Sequence, residues 1–344
     1  MNFKSDNEAP AHPAIMEAMV QANEGYATAY SEDHLSRELD ARFAEAFDTD
    51  CHVLPIATGT AANSIAVAEI SPPWGAVMCH TLAHIHNDEG GAPEFYSGGA
   101  KLVPLDGNHG RLEAQPLAAA IDAAGRHGVH NVKPSLVSIT QATECGTVYR
   151  PDEIRGIAEV THERGLALHM DGARFANAVA WLDCHPAEIT WKAGVDVLSF
   201  GVTKNGAMAA EAIVVFGHPE WLEGMERRRK RGGHLLSKMR YVSAQLLAML
   251  DDDLWLQLAA DANARAWELA RGISQSPNAA LEWPVEANEV FMRADPECLQ
   301  SLKSEGFEFH IWPGHDDLAR LVCSWATEPS QVEQFVQALA QATD

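Results

Sequence analysis

Apolar positions change their spacing twice along the chain. Near the start they recur at helical intervals: Pro13 is placed to open a helix carrying Ile15, Met16, Met19 and Val20, with Gly25 as its stop. Leu35, Leu39, Phe43 and Phe47 then follow at every fourth position. From residue 51 the pattern becomes short apolar runs separated by helical stretches such as 115–126 and 151–164. The runs are CHVLPIA, AVMC, KLVPL, SLVSIT, LALHMD, VDVLSF and EAIVVF. Such an alternation predicts an α/β fold with a mostly parallel seven-stranded sheet covered by helices, because parallel neighbours need crossover connections. After EAIVVF the rhythm lengthens into helices at about 218–230, 234–250 and 254–274. A compact mixture follows from Val285: NEVFMR, a helix after Pro296, FEFHI, LARLVCSW and a closing helix after Pro329. Two units are expected, a large one over 1–248 with an N-terminal helical segment and a small C-terminal α+β one over 249–344.

Composition narrows the function classes. Apolar residues make up 47% of the 344 positions and charged residues 21%, enough for a core that needs neither disulfides nor metal. Lys and Arg number 25 against 48 Asp and Glu, a net charge of −23 that repels polyphosphate and acidic membrane surfaces, so no nucleic-acid and no membrane partner is expected. The six cysteines, Cys51, Cys79, Cys145, Cys184, Cys298 and Cys323, form no CxxC pair and read as reduced thiols. The opening MNFKSDNEAPAHP lacks the apolar stretch of a signal peptide, and no run reaches the length needed to span a bilayer. The expected location is the cytoplasm.

In open α/β sheets ligands collect at the carboxyl ends of strands, so the residues just after the apolar runs carry the candidate chemistry. Three loops stand out there. Thr58-Gly59-Thr60-Ala61-Ala62-Asn63 lies between a strand and a helix, where backbone N–H groups and hydroxyls can hold a phosphate. The same turn is also an ordinary helix cap. Asp171-Gly172-Ala173-Arg174 ends LALHM, and Ser199 to Gly206, containing Lys204, ends VDVLSF. A phosphate cradle, an aspartate and a lysine at neighbouring strand ends are what a pyridoxal phosphate site requires: the aspartate keeps the pyridine nitrogen protonated and the lysine forms a Schiff base.

HMDGARFANA (169–178), SFGVTKNGA (199–207), TGTAAN (58–63), AHIHNDEGGAPEF (83–95) and SDN (5–7) resemble the low-specificity L-threonine aldolases and their phenylserine aldolase relatives, fold-type I pyridoxal phosphate enzymes of the aspartate aminotransferase superfamily. The resemblance implies a lyase that cleaves L-threonine, L-allo-threonine or L-phenylserine type substrates to glycine and an aldehyde. It implies Lys204 as the cofactor-carrying lysine, Asp171 as partner of the pyridine nitrogen, and Gly59 with Thr60 at the phosphate. It further implies Arg174 near the cofactor's phenolic oxygen and the substrate carboxylate, His84 stacked on the ring, and Arg320 with Ser5 on the substrate carboxylate. Tyr30, His86 and Asp88 are candidates for lining the substrate pocket. Lys238 or Arg240, just after the basic run Arg227 to Arg231, is a candidate for reaching a neighbouring subunit's phosphate in a homodimer or homotetramer.

Bland alternatives stand beside these. Arg320 in LARLVCSW also fits an outward position on an edge strand. His84-x-His86-x-Asp88 imitates a metal-hydrolase ligand loop, although Glu89 stands where that motif continues with histidine. A β-eliminating lyase of the same superfamily is the nearer rival. Many members carry a histidine in an Asn-Thr-His stretch after the fourth run, where this chain has Gln141-Ala142-Thr143-Glu144. The general base is therefore open between His84, His86, Glu89, Glu144 and a held water.

Overall fold

The computed structural model describes residues 1–342. The seven apolar runs form the strands β1 (His52–Ile56), β2 (Gly75–His80), β3 (Lys101–Leu105), β4 (Lys133–Thr140), β5 (Ala167–Gly172), β6 (Val197–Gly201) and β7 (Glu211–Val215) of one sheet. Its order is β1-β7-β6-β5-β4-β2-β3. All neighbours are parallel except β7, which runs antiparallel to both β1 and β6. The reversal has a local cause: residues 202–210 are too few for the crossover that a parallel return to the sheet requires. It brings the first residue of β7, Glu211, to the edge where β1 and β6 end, opposite Ile56 and Gly201.

Helices cover the sheet: α1 (Pro13–Ala22), α2 (His34–Phe47), α3 (Gly59–Ile70), α4 (His84–Asn87), α5 (Ala92–Ser97), α6 (Ala114–Ala124), α7 (Pro151–His162), α8 (Phe175–Leu182), α9 (Leu222–Arg231) and α10 (Arg240–Leu250). The expected helix over 234–250 begins only at Arg240. Gly232 and Gly233 end α9, with Gly233 at φ +80, and the chain runs without regular structure to Met239. Phe43, Phe47, Phe175, Phe200 and Trp255 pack edge-on and stacked beneath the sheet.

The small unit has a sheet of β8 (Ala279–Leu281), β9 (Glu289–Ala294), β10 (His310–Ile311) and β11 (Leu318–Val322), ordered β10-β11-β9-β8, with α12 (Pro296–Ser304) and α13 (Pro329–Gln341). β11 is thus an interior strand, not the edge strand that the alternation around Arg320 allowed. The long α11 (Leu254–Gln275) serves both cores: Trp255, Leu258 and Ala259 pack in the large one, and Ala266, Leu269 and Ile273 in the small one. The expected division at 248/249 falls inside α10, whose Met249 and Leu250 pack in the large core; we propose instead that the change of core lies within α11, with one exchange. Phe3 is buried in the small core and hydrogen-bonds through its backbone to Glu308 and Val322, so the N-terminus belongs with the C-terminal unit.

Candidate active site

The carboxyl ends of β1, β6, β5, β4 and β2 open onto one cavity, whose lining includes Gly59, Thr60, His84, Asp171, Arg174 and Lys204. Sequence reasoning placed all six there. Thr58 is extended and caps α3, its hydroxyl oxygen accepting from the Ala61 N–H at 3.3 Å. Lys204 sits in a short turn after β6 that is pinned on both sides: Asn205 donates to the Trp255 carbonyl at 2.7 Å, and Thr203 to the Ala210 carbonyl at 3.2 Å. Gly201 must be glycine, because a Cβ there would lie 2.8 Å from the Ala173 Cα.

Asp171, buried at 4% exposure, ends β5 in register with Thr140 and Ser199. Its Oδ2 accepts from Asn63 Nδ2 at 2.8 Å and its Oδ1 from the Ala173 N–H at 3.0 Å. Two residues earlier on the same face, His169 bridges β4 and β6 through Ser138 (2.9 Å) and Ser199 (3.0 Å), and burial lowers its pKa to about 4, so it is neutral.

His84 Nδ1 lies 3.0 Å from Glu89 Oε1, and the same oxygen accepts from Asn63 at 2.8 Å. A chain of polar contacts thus runs His84–Glu89–Asn63–Asp171. The Glu89 contact raises the His84 pKa, and burial raises that of Glu89, so the pair holds a proton to higher pH than either group does in water. Burial pushes Glu144 and Glu211, both lining the cavity, up to about 7.

Arg174 lines the cavity with two nitrogens already committed: Nε and Nη2 donate to Asp6 Oδ2 and Oδ1 at 2.8 and 3.0 Å. Burial works against the Asp6 carboxylate, yet Arg174 and Lys204 hold it below the usual range. Nη1 faces Glu289 Oε2 at 3.4 Å, and Arg320 Nη1 stands 3.8 Å from Glu289 Oε1. Arg320 therefore joins the site through Glu289, one layer behind the cavity wall. Ser5 also stands back: its Oγ accepts from the Asn7 N–H at 3.2 Å, and Asn7 reaches the cavity instead.

The remaining sequence candidates do not line the cavity. His86 and Asp88 are exposed, and no group of three His, Cys, Asp or Glu side chains among the described residues is placed to hold a metal ion. The HxHxD resemblance has no ligand geometry behind it. Tyr30 is 47% exposed, with the Lys230 ammonium 4.3 Å over its ring. Arg240 donates to the Gly25 carbonyl at 3.3 Å, while Lys238 lines a surface cleft with Met208, Leu236 and Ala57, the last shared with the cavity. Asp6 and Asn7 in SDN, Asn63 in TGTAAN, Glu211 in EAIVVF and Glu289 in NEVFMR lay inside segments the sequence singled out but were given no individual role there; a glutamate within each of the two apolar runs was the visible signal.

A doubly covered, mostly parallel sheet with a lysine, an aspartate and a helix N-terminus at its carboxyl edge is the arrangement of the pyridoxal-phosphate fold-type I class. A family model described as beta-eliminating lyase matches residues 2–296. The chain is 43% identical to a low specificity L-threonine aldolase of Pseudomonas sp. (strain NCIMB 10558), covering 97% of this chain and 95% of that one. It is 25% identical to a low specificity L-threonine aldolase of Saccharomyces cerevisiae over 87% of this chain and 76% of that one. A solved threonine aldolase structure from Leishmania major superposes with a TM-score of 0.92 at 29% identity, covering 99% and 98% of the two chains. The chain belongs to the beta-eliminating lyase family, with low-specificity L-threonine aldolases as its relatives.

Proposed function

We propose that the protein is a pyridoxal-phosphate aldolase that reversibly cleaves L-threonine, L-allo-threonine or L-phenylserine type β-hydroxy-α-amino acids to glycine and the matching aldehyde. The reading is carried by the meeting of Lys204, Asp171 and the Thr58–Thr60 turn in one cavity. The residues present fit the cofactor. A Cβ at Gly59 would stand in open space, so the start of α3 leaves room for a phosphate against its N–H groups. Bound there, pyridoxal phosphate supplies an electron sink for the pair left on Cα.

The chain's own residues do the rest. Gly59 and Thr60 hold the phosphate, Asp171 keeps a proton on the ring nitrogen, His84 covers the ring face, and Lys204 yields its place to the substrate amine. The substrate carboxylate is oriented by the remaining Nη1 of Arg174, with Arg320 acting from behind through Glu289 and Ser5 through its hold on Asn7. A second copy belongs to this reading. Met208 and Leu236, 52% and 41% exposed, form an apolar ledge beside the cavity with Lys238, and in a homodimer or homotetramer Lys238 or Arg240 approaches the neighbour's phosphate. No helix among the described residues is long and apolar enough to cross a membrane. We place the enzyme in the cytoplasm, acting on a small molecule.

The test is direct. The holoenzyme absorbs visible light, borohydride bleaches it with covalent attachment, and Lys204→Ala loses the attachment; L-threonine yields glycine and acetaldehyde in equal amounts. Ammonia and a keto acid in their place would make β-elimination the reading.

A further inference from the structure

We propose that Glu144 is the general base that takes the β-hydroxyl proton, an assignment that rests on the aldolase reading above. Its carboxyl is held asymmetrically. Oε1 accepts from the His84 backbone N–H at 2.8 Å and from the Thr140 hydroxyl at 2.9 Å. Oε2 is buried and has no hydrogen-bond partner. One oxygen is thus anchored from the ends of β2 and β4, and the other is left without a donor on a residue that lines the cavity together with Lys204 and Asp171. A buried acceptor without a donor is costly. A substrate hydroxyl is a donor that satisfies it.

The other groups are already engaged. Both Asp171 oxygens accept hydrogen bonds from the chain. The Glu89 contact pushes His84 toward the imidazolium, which has no lone pair to offer. Glu89 also lines the cavity with an unpartnered Oε2, but its other oxygen is held against the His84 ring and Asn63, so its charge is committed to His84. Glu211 lies on the far side of β6 and β5, beside Gly201. His86 is outside the cavity.

The surroundings set Glu144 near neutrality. Burial raises its pKa to about 7, with Asp171 adding to the rise and the His84 and Thr140 hydrogen bonds opposing it. Arg174 faces it from the start of α8, and the neighbouring Cys79, Cys145 and Tyr149 are held neutral. A base that titrates near the working pH combines a useful deprotonated fraction with strength.

In the step, the hydroxyl proton moves to Oε2 and the O–H pair becomes the second C–O bond of the aldehyde. The Cα–Cβ bond breaks and its pair stays on Cα. The proton on Oε2 leaves to water once the aldehyde departs and Cα takes one from solvent, so that one proton moves overall from hydroxyl to Cα.

The experiment compares wild-type, Glu144→Gln and Glu144→Asp holoenzymes in L-threonine cleavage and in exchange of the glycine Cα proton with deuterated water. The exchange uses the lysine, the ring and the carboxylate contacts but no β-hydroxyl. We expect Glu144→Gln to lose roughly 10²- to 10⁴-fold in cleavage while exchange and the visible spectrum persist. Wild-type kcat should rise with pH through about 7, since the deprotonated form is the active one; Glu144→Asp should keep that limb at a lower rate, and Glu144→Gln should lack it. A protonated-carboxyl infrared band titrating over the same range, and missing in Glu144→Gln, is the readout independent of turnover. Glu144→Gln cleaving at the wild-type rate with the limb intact would overturn the assignment and leave the aldolase reading standing. A wild-type enzyme that neither exchanges glycine nor releases aldehyde would overturn that reading, and this assignment with it.

Discussion

At the residue scale the site is governed by carboxylates that prearrange cations. Asp6 fixes two nitrogens of Arg174, Asn288 donates to Asp6 at 3.0 Å, and Glu289, whose oxygens have no hydrogen-bond partner, lies between Arg174 and Arg320. Buried charges of this kind persist only when compensated, and removing one partner leaves the other uncovered. Arg320→Lys is therefore far from conservative. An ammonium is a point charge that cannot face Glu289 as a planar fork does, so Glu289 and the Arg174 nitrogen it faces lose their alignment. A misplacement on the order of 1 Å costs roughly a hundredfold. We expect Arg320→Lys to lower kcat by about that factor and to raise KM for L-threonine, while the visible spectrum of the resting enzyme is unchanged. An unaltered kcat would assign carboxylate binding to Arg174 alone.

At the scale of elements, α3 is the helix that, under the proposed function, holds the cofactor's phosphate. Its first residues close the cavity and its body, Ala61 to Ala68, is buried in the sheet's helical cover. A side chain at Gly59 meets nothing in the protein itself. Gly59→Val should consequently leave the melting temperature of the cofactor-free protein nearly unchanged, yet weaken pyridoxal phosphate binding about tenfold or more, on the order of 1.4 kcal/mol. Equilibrium dialysis and thermal melts of the same preparation separate the two effects. The motif around this helix was legible in the sequence because its residues are contiguous. The path of 232–239 was not, because a helical period ran on into Leu235 and Leu236 while Gly232 and Gly233 broke the backbone.

At the scale of the whole molecule, the apolar ledge beside the cavity is a feature a single chain leaves uncovered. Met208 and Leu236 belong to it, and Ala57 connects it to the phosphate turn. Leu236→Glu should shift sedimentation toward a smaller species and reduce cofactor retention together. A change in assembly with full cofactor retention would remove Lys238 and Arg240 from the phosphate.

Local pattern determined which segments become strands and which loops follow them, because burial alternation and strand-end motifs are written in neighbouring residues, whereas the roles expected of His84 and Arg174 came from the family resemblance. Direction, pairing and the fate of individual oxygens belong to the tertiary structure. The reversal of β7 put Glu211 at the cavity edge, and the place of β11 between β10 and β9 set Arg320 opposite His310 and Phe291. Contacts between β2, β4 and the His84 turn anchored one Glu144 oxygen and left the other unpaired. Such a contrast between two atoms of one carboxyl depends on donors 4 and 60 positions away in the chain, so no local sequence signal carries it.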